Sequence, residues 1–468
     1  MVISKADFID DRRISGLLLN SKDVQSGSEV NRIIEKAALS RGLTPEEAAV
    51  LLNLEDPVLL DKVYDTAKQI KEQIYGKRLV FFVPLYISDY CVNDCLYCGY
   101  RRQNKFARRK LTMQEIRNEV IVLEEMGHKR IAMECGEHPQ ECPIDYVIEA
   151  LDTIYSVKRR KGSIRRVNVN IAATTVEEYK RLHAAGIGTY ILFQETYHHP
   201  TYAKMHPSGP KKNYDWHTCA FDRAMAGGID DVGAGVLFGL YDYKYEVLAL
   251  LLHALHLEEA WGVGPHTISV PRIRPANGID LESFPYLVSD GEFKKLVAII
   301  RLAVPYTGMI LSTREPARLR DELISVGISQ LSAGSCTGVG GYYRDNNAER
   351  EAQRPQFEVE DSRTLDEVVA NVCKSGYIPS FCTACYRKGR TGDRFMSLAK
   401  TGRIQDVCQP NAILTFKEFL LDYASPETRV AGEEAIKKHL DQIGDPKLKQ
   451  ETLKRLAQLE EGTRDLYF

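Results

Sequence analysis

The sequence predicts an α/β chain built around a closed, parallel, TIM-type (β/α)8 barrel, with a helical extension before it and a mainly helical module after it. Three observations carry that expectation. Eight short apolar or β-branched runs alternate with segments of helical period between residues 79 and 332, the pattern of parallel strands joined by crossover helices. The chain has 468 residues, enough for a barrel of about 250 plus flanking modules. A cysteine triplet, Cys91, Cys95 and Cys98, follows the first run directly, on the loop face where such barrels carry their chemistry.

Residues 1–75 read as helices over 31–40, 44–52 and 57–75. The second is entered through Thr44-Pro45-Glu46-Glu47, and the third repeats apolar residues at Leu59, Leu60, Val63, Ala67, Ile70 and Ile74, as one buried helix face requires. The barrel is expected over 76–362. Its strands are placed at 79–87, 130–135, 167–172, 190–193, 232–238, 267–270, 307–311 and 328–332, with helices at 112–126, 144–158, 176–184, 245–260 and 290–303 between them. The charged stretch 343–361 reads as a solvated connection. Residues 363–468 form the last module, where Val369, Val372 and Ile378 lead into a second cysteine cluster and Leu440, Ile443, Leu448, Leu453, Leu456 and Leu459 space a helical tail.

Composition narrows the function. Hydrophobic residues make up 44% of the chain, charged residues 27%, and the net charge is −2, so neither a polyanion-binding surface nor disorder is indicated, and nucleic acid is not expected as a partner. There is no apolar run of about 18 residues, so no membrane segment is expected. Lys5, Asp7, Asp10, Asp11, Arg12 and Arg13 crowd the start without a signal-peptide pattern, and the expectation is a soluble, cytoplasmic protein. Eleven cysteines in that setting point to metal or redox chemistry rather than disulfides.

The triplet lies in YCVNDCLYCGY. Three thiolates spaced C-x3-C-x2-C can converge on one iron–sulfur cube and leave its fourth iron without a protein ligand. Zinc is the competitor, but it usually wants four ligands in pairs, and no second pair lies close in sequence. With Tyr97 before the last cysteine, the run resembles the signature of the radical S-adenosylmethionine (SAM) superfamily. The resemblance implies a [4Fe-4S] cluster whose open iron chelates SAM and splits it reductively to a 5'-deoxyadenosyl radical.

The other strand ends carry polar residues. The second ends in Met133-Glu134-Cys135-Gly136-Glu137; Gly136 lets backbone approach a ligand and Glu137 can accept from an ammonium. The superfamily has a Gly-Gly-Glu-like element here, and this chain departs from it with Cys-Gly-Glu. Asn168 and Asn170 share one face of the third strand, and Gln194 and Glu195 end the fourth; they suit a polar cofactor, or a buried side-chain network. Arg223, on the helix after strand four, can reach a SAM carboxylate or be a surface arginine. Arg272 and Arg274 follow strand six and Arg314 strand seven, and guanidinium at the catalytic mouth suits a substrate carboxylate. Ser332 and Ser335 lie in a small-residue loop that runs on from strand eight.

QETY, RIRPANG, STRE and SAGS resemble the radical SAM aromatic amino-acid lyases across essentially the whole barrel. The resemblance implies hydrogen abstraction from the amino group of L-tyrosine and Cα–Cβ cleavage to p-cresol and dehydroglycine, with Arg314 as carboxylate anchor and Ser332 or Ser335 assisting. Cys382, Cys385 and Cys408 then divide the family. On spacing alone, C-x2-C-x22-C is also a zinc half-site with one ligand too few. It resembles the [FeFe]-hydrogenase maturase branch, which carries an auxiliary [4Fe-4S] cluster with an additional labile iron. That branch makes CO and cyanide from dehydroglycine, assembles an Fe(CO)2(CN) unit for the H-cluster, and works with a reductant such as ferredoxin or flavodoxin and with other maturases. The same resemblance assigns iron ligation to His266, at the start of strand six and so at the barrel floor. A lyase that stops at dehydroglycine, as in the thiamine-pathway branch, and a non-catalytic metal-binding scaffold stand as the alternatives.

Overall fold

The structure, a computed structural model, describes residues 4–24, 27–343 and 354–468. Its centre is a closed parallel barrel of β1 (Arg78–Ser88), β2 (Arg130–Cys135), β3 (Arg166–Asn170), β4 (Tyr190–Glu195), β5 (Val232–Val236), β6 (Thr267–Ser269), β7 (Gly308–Leu311) and β8 (Gln330–Ser332). Each strand pairs in parallel with the next, and β1 pairs with both β2 and β8 to close the ring. All eight predicted strands are present, and even those with polar residues, such as β6 and β8, are buried throughout, as a barrel wall covered on its outer face by helices requires.

Helix ends follow local chemistry. Pro45–Asn53 begins at Thr44 with a full capping box to Glu47, and Pro57–Tyr75 spans the predicted residues and ends at Gly76, whose φ of 63° closes the last turn. The helix predicted at 31–40 runs instead over Gly27–Ala38, and a further helix, Asp11–Asn20, is capped by Asp10. The helical extension packs on the barrel's outer helices: Lys71 and Lys295, both buried, donate to the carbonyls of Ile324 and Leu54.

A ninth strand, β9 (Ile378–Ser380), was not predicted. It pairs in parallel with Arg78–Val80, at the beginning of β1, and so stitches the C-terminal residues onto the barrel floor. Phe381 stacks between Phe81 and Phe419, and one hydrophobic core runs from the N-terminal helices through the barrel into the helix Ile404–Asp422. The boundary expected at 362/363 therefore divides no core.

Residues 344–353 of the stretch read as a solvated connection lie outside the described residues. The remainder is only partly solvated: Arg354, Glu358 and Glu360 are exposed, but Phe357 and Asp361 are buried, and the Asp361 carboxylate accepts from Arg320 and Arg363. Its backbone runs so close to the triplet that a Cβ on Gly99 would fall 2.7 Å from the Pro355 carbonyl.

Candidate active site

Two cavities open on the barrel interior, one at each end. The upper one, of about 210 Å³, is lined by Cys91, Cys95 and Cys98, by Glu134, Glu137, Asn170, Glu195 and Arg314, and by apolar residues including Phe82, Ile191 and Leu237. Side chains alternate along a strand, so Phe82, Pro84 and Tyr86 of β1 all face this space. Gly136 is required for close approach: a Cβ there would lie 2.3 Å from the Tyr90 carbonyl.

The three thiols suit an iron–sulfur cluster. They are free and sit on one wall; burial raises those of Cys91 and Cys95 and pushes Cys98 up to about 11, so thiolate form calls for a cationic partner. Among the described residues no three His, Cys, Asp or Glu side chains converge on a single metal ion; a cluster interposes its own iron and sulfide atoms and does not require that convergence. Tyr97 holds the loop through its hydroxyl, 2.8 Å from Nε2 of His206.

The polar wall is uneven in charge. Burial pushes the Glu134 carboxyl up to about 8, against the Asn170 amide that donates to it at 2.7 Å and against the nearby Arg314. Burial also raises Glu137, which accepts from the Asn93 amide. Glu195 is paired with Lys211 at 3.0 Å and has φ of 69°, a conformation uncommon outside glycine and found where a site fixes a side chain. Arg314 lies with its guanidinium 3.3 Å from the centre of the Phe357 ring, and among the described residues no carboxylate pairs with it, Glu315 being taken by Arg272 and Arg274. Ser332 accepts from the Thr313 amide at 3.1 Å, while Oγ of Ser335 is buried without a partner among the described residues.

Five expected site residues do not line this cavity. Arg272 and Arg274 are both committed to the carboxylate of Glu315, which is fully buried, and Arg272 also pairs with Asp290. Arg223 donates to the carbonyls of Thr174, Cys219 and Trp216 and stacks on the Trp216 ring. Gln194 points outward and donates to Thr218 at 2.8 Å, because its neighbour Glu195 takes the inward position. Asn168 shares a face with Asn170 but accepts from the Thr189 amide one level lower. Sequence reasoning passed over Glu134, Lys211, Gln356 and Phe357. Glu134 had a signal, standing two residues before Gly136 on the inward face; the others come close only through folding.

The lower cavity, of about 70 Å³, collects Cys382, Cys385, Cys408 and His266 with Arg78, Arg130, Asp231 and Tyr386. Cys382 follows β9, Cys385 lies in the short helix Ala384–Arg387, and Cys408 in Ile404–Asp422. The His266 ring rests on Phe395, centroids 4.3 Å apart. One layer of side chains separates the cavities: Val80, Gly308 and Gln330 face down where Phe82, Ile310 and Ser332 face up.

Comparison with known proteins agrees with this architecture. Residues 85–254 match the model of the radical SAM superfamily, and residues 269–378 that of the biotin and thiamin synthesis associated domain. The chain is 32% identical to the 2-iminoacetate synthase of Escherichia coli K12 over 348 residues, 74% of this chain and 89% of that one. It superposes on a crystal structure of HydG, a maturase of the [FeFe]-hydrogenase, with a TM-score of 0.96 and 61% identity, covering 99% of this chain and all of that one. The chain belongs to the HydG family of radical SAM enzymes. A second member, from Carboxydothermus hydrogenoformans, superposes with a TM-score of 0.83 at 38% identity, over 95% of this chain and 97% of that one. Family membership brings a SAM-binding [4Fe-4S] cluster, and the upper cavity has the thiols and the polar wall to hold it. Among the described residues no helix is long and apolar enough to cross a membrane.

Proposed function

We propose that this protein cleaves L-tyrosine between Cα and Cβ, giving p-cresol and dehydroglycine, and that it converts the latter to CO and cyanide for an Fe(CO)2(CN) unit of the [FeFe]-hydrogenase. The observation that carries this reading is a pair of cysteine-lined cavities at opposite ends of one barrel, the upper one holding the guanidinium of Arg314 stacked on Phe357.

Cys91, Cys95 and Cys98 hold the SAM-binding cluster, which with SAM supplies the 5'-deoxyadenosyl radical. Gly136, Glu137, Asn170 and Glu195 hold the cofactor's polar groups. Arg314 takes the tyrosine carboxylate through its planar fork, and Ser335, whose Oγ is buried with no partner among the described residues, supplies a further hydrogen bond. Phe357 fixes the guanidinium plane from behind. Glu134, protonated at neutral pH, stands ready to give or receive a proton beside the bound substrate. The apolar remainder of the wall keeps water from the reacting atoms. Cys382, Cys385, Cys408 and His266 hold an auxiliary cluster with a labile iron. A ferredoxin or flavodoxin reductant, other hydrogenase maturases and the cytoplasm complete the proposal.

The test is anaerobic turnover with SAM, tyrosine and a low-potential reductant. Cys91→Ala abolishes 5'-deoxyadenosine and p-cresol together. Cys382→Ala and Cys385→Ala keep part of the p-cresol while CO and cyanide disappear. A parent protein that makes p-cresol but neither diatomic product is a lyase that stops at dehydroglycine, and the maturase reading falls.

A further inference from the structure

The floor cavity contains unpaired polar atoms beyond its cysteines. Asp231 is 2% exposed, and among the described residues neither of its carboxylate oxygens has a hydrogen-bond partner. Nδ1 of His266 is buried and, among the described residues, without a hydrogen-bond partner as well, 3.9 Å from Oδ2 of Asp231. Backbone pairing brings the two together: His266 donates to the carbonyl of Val232, the residue after Asp231, at 2.8 Å. Both residues line the cavity that Cys382, Cys385 and Cys408 share. A buried carboxylate with no hydrogen bond is costly, and Nδ1 of His266 stands within ion-pair distance of it.

We infer that Asp231 is the positioning carboxylate of His266. A side-chain rotation that closes the 3.9 Å separation lets it accept the Nδ1 proton, which fixes the tautomer and leaves the lone pair of Nε2 free for the labile iron. A ligating histidine commonly donates its other N–H to a carboxylate, which sets the ring's orientation and raises its basicity. The carboxylate also adds a negative charge to a cavity otherwise lined by Arg78, Arg130 and Arg390, and so favours a divalent cation there. This inference rests on the proposed auxiliary site at the floor.

The experiment uses the full chain with its clusters reconstituted anaerobically, stripped of loosely held metal by a mild chelator, and titrated with Fe(II). Acid-labile sulfide is measured first. Sulfide for one cluster only in the parent refutes the auxiliary-site reading itself, independently of Asp231. With sulfide for two clusters, Asp231→Ala is expected to weaken Fe(II) binding about 10- to 100-fold, approaching His266→Ala, with sulfide and p-cresol formation unchanged. Asp231→Glu restores part of the affinity. Asp231→Asn keeps the shape and an acceptor but no charge, and binds between Asp231→Ala and the parent. Parental Fe(II) affinity in both Asp231→Ala and Asp231→Asn, at full sulfide content, overturns the inference. If Asp231→Ala does not fold, parental affinity in Asp231→Asn alone is sufficient to do so.

Discussion

Replacing Arg314 tests the upper cavity most directly. Its guanidinium is stacked on Phe357 at 3.3 Å, and the one carboxylate in its own loop, Glu315, is taken by Arg272 and Arg274. Burial lowers its pKa, partly offset by Tyr86 and Glu195, and an arginine keeps its charge through such a shift. The cost of desolvating it is therefore met in the fold, before substrate arrives. Two charge-assisted hydrogen bonds to a carboxylate, at about 1.5 kcal/mol each, amount to about 3 kcal/mol. That is about a hundredfold in affinity at about 1.4 kcal/mol per factor of ten. Arg314→Ala is accordingly expected to raise the KM for tyrosine about a hundredfold, measured as p-cresol release. Arg314→Lys recovers little, since it keeps the charge but loses both the fork and the stacking. Any 5'-deoxyadenosine formed in the absence of tyrosine should not change in either variant. An unchanged KM in Arg314→Ala would show that the substrate carboxylate is bound elsewhere, and the assignment would be wrong.

Two further predictions concern the barrel that carries the site. Glu246 is buried, accepts from Thr196 and from the Tyr197 amide at 2.8 Å, and burial pushes its carboxyl up to about 8 from an ordinary 4.5. Between those values the folded state binds more protons than the unfolded, so stability falls as pH rises, by up to about 5 kcal/mol. Glu246→Gln should flatten the decline of the thermal midpoint from pH 5 to 8, and a parental slope in that variant refutes the assignment. Glu315→Gln leaves the guanidinium groups of Arg272 and Arg274 without their shared carboxylate, a loss of about 3–5 kcal/mol for a buried pair broken on one side. A denaturation shift worth less than about 1 kcal/mol would mean that the two arginines find other partners.

The barrel was legible because its signal is local. Each strand is an apolar run and each crossover helix has its own period, so neither needs knowledge of the rest of the chain. The cysteine triplets were legible for the same reason, since their ligands lie within a few residues. What failed depended on distant partners. Arg272 and Arg274 are cations at the expected strand end, but nothing near them in sequence reveals that Glu315 arrives from the next strand to take both. Arg223 looks like a helix-surface residue until three carbonyls converge on it. Gln356 and Phe357 sit in a charged segment that reads as solvated; the structure lays it against the triplet, where Gln356 bonds the Tyr86 hydroxyl at 2.9 Å. β9 escaped because it is three residues long and contains Pro379, which a strand tolerates at an edge.

That short strand has a consequence for how the two cavities relate. β1 is 11 residues long; its first residues pair with β9 and its later ones with β2. Val80 faces the lower cavity, Phe82, Pro84 and Tyr86 the upper one, and the cysteine triplet follows the strand's end. At about 3.3 Å per residue, Val80 and Tyr86 are about 20 Å apart, a spacing set by one rigid strand. The two sites nonetheless differ in what they need. Every residue lining the upper cavity falls between Phe82 and Phe357, so the barrel with its 354–361 segment builds it alone. The lower cavity takes His266 and Asp231 from the barrel and all three cysteines from beyond Phe381, so it exists only when the C-terminal helices are docked through β9. Damage to that docking should therefore remove the floor chemistry first and leave the upper cavity's residues in place.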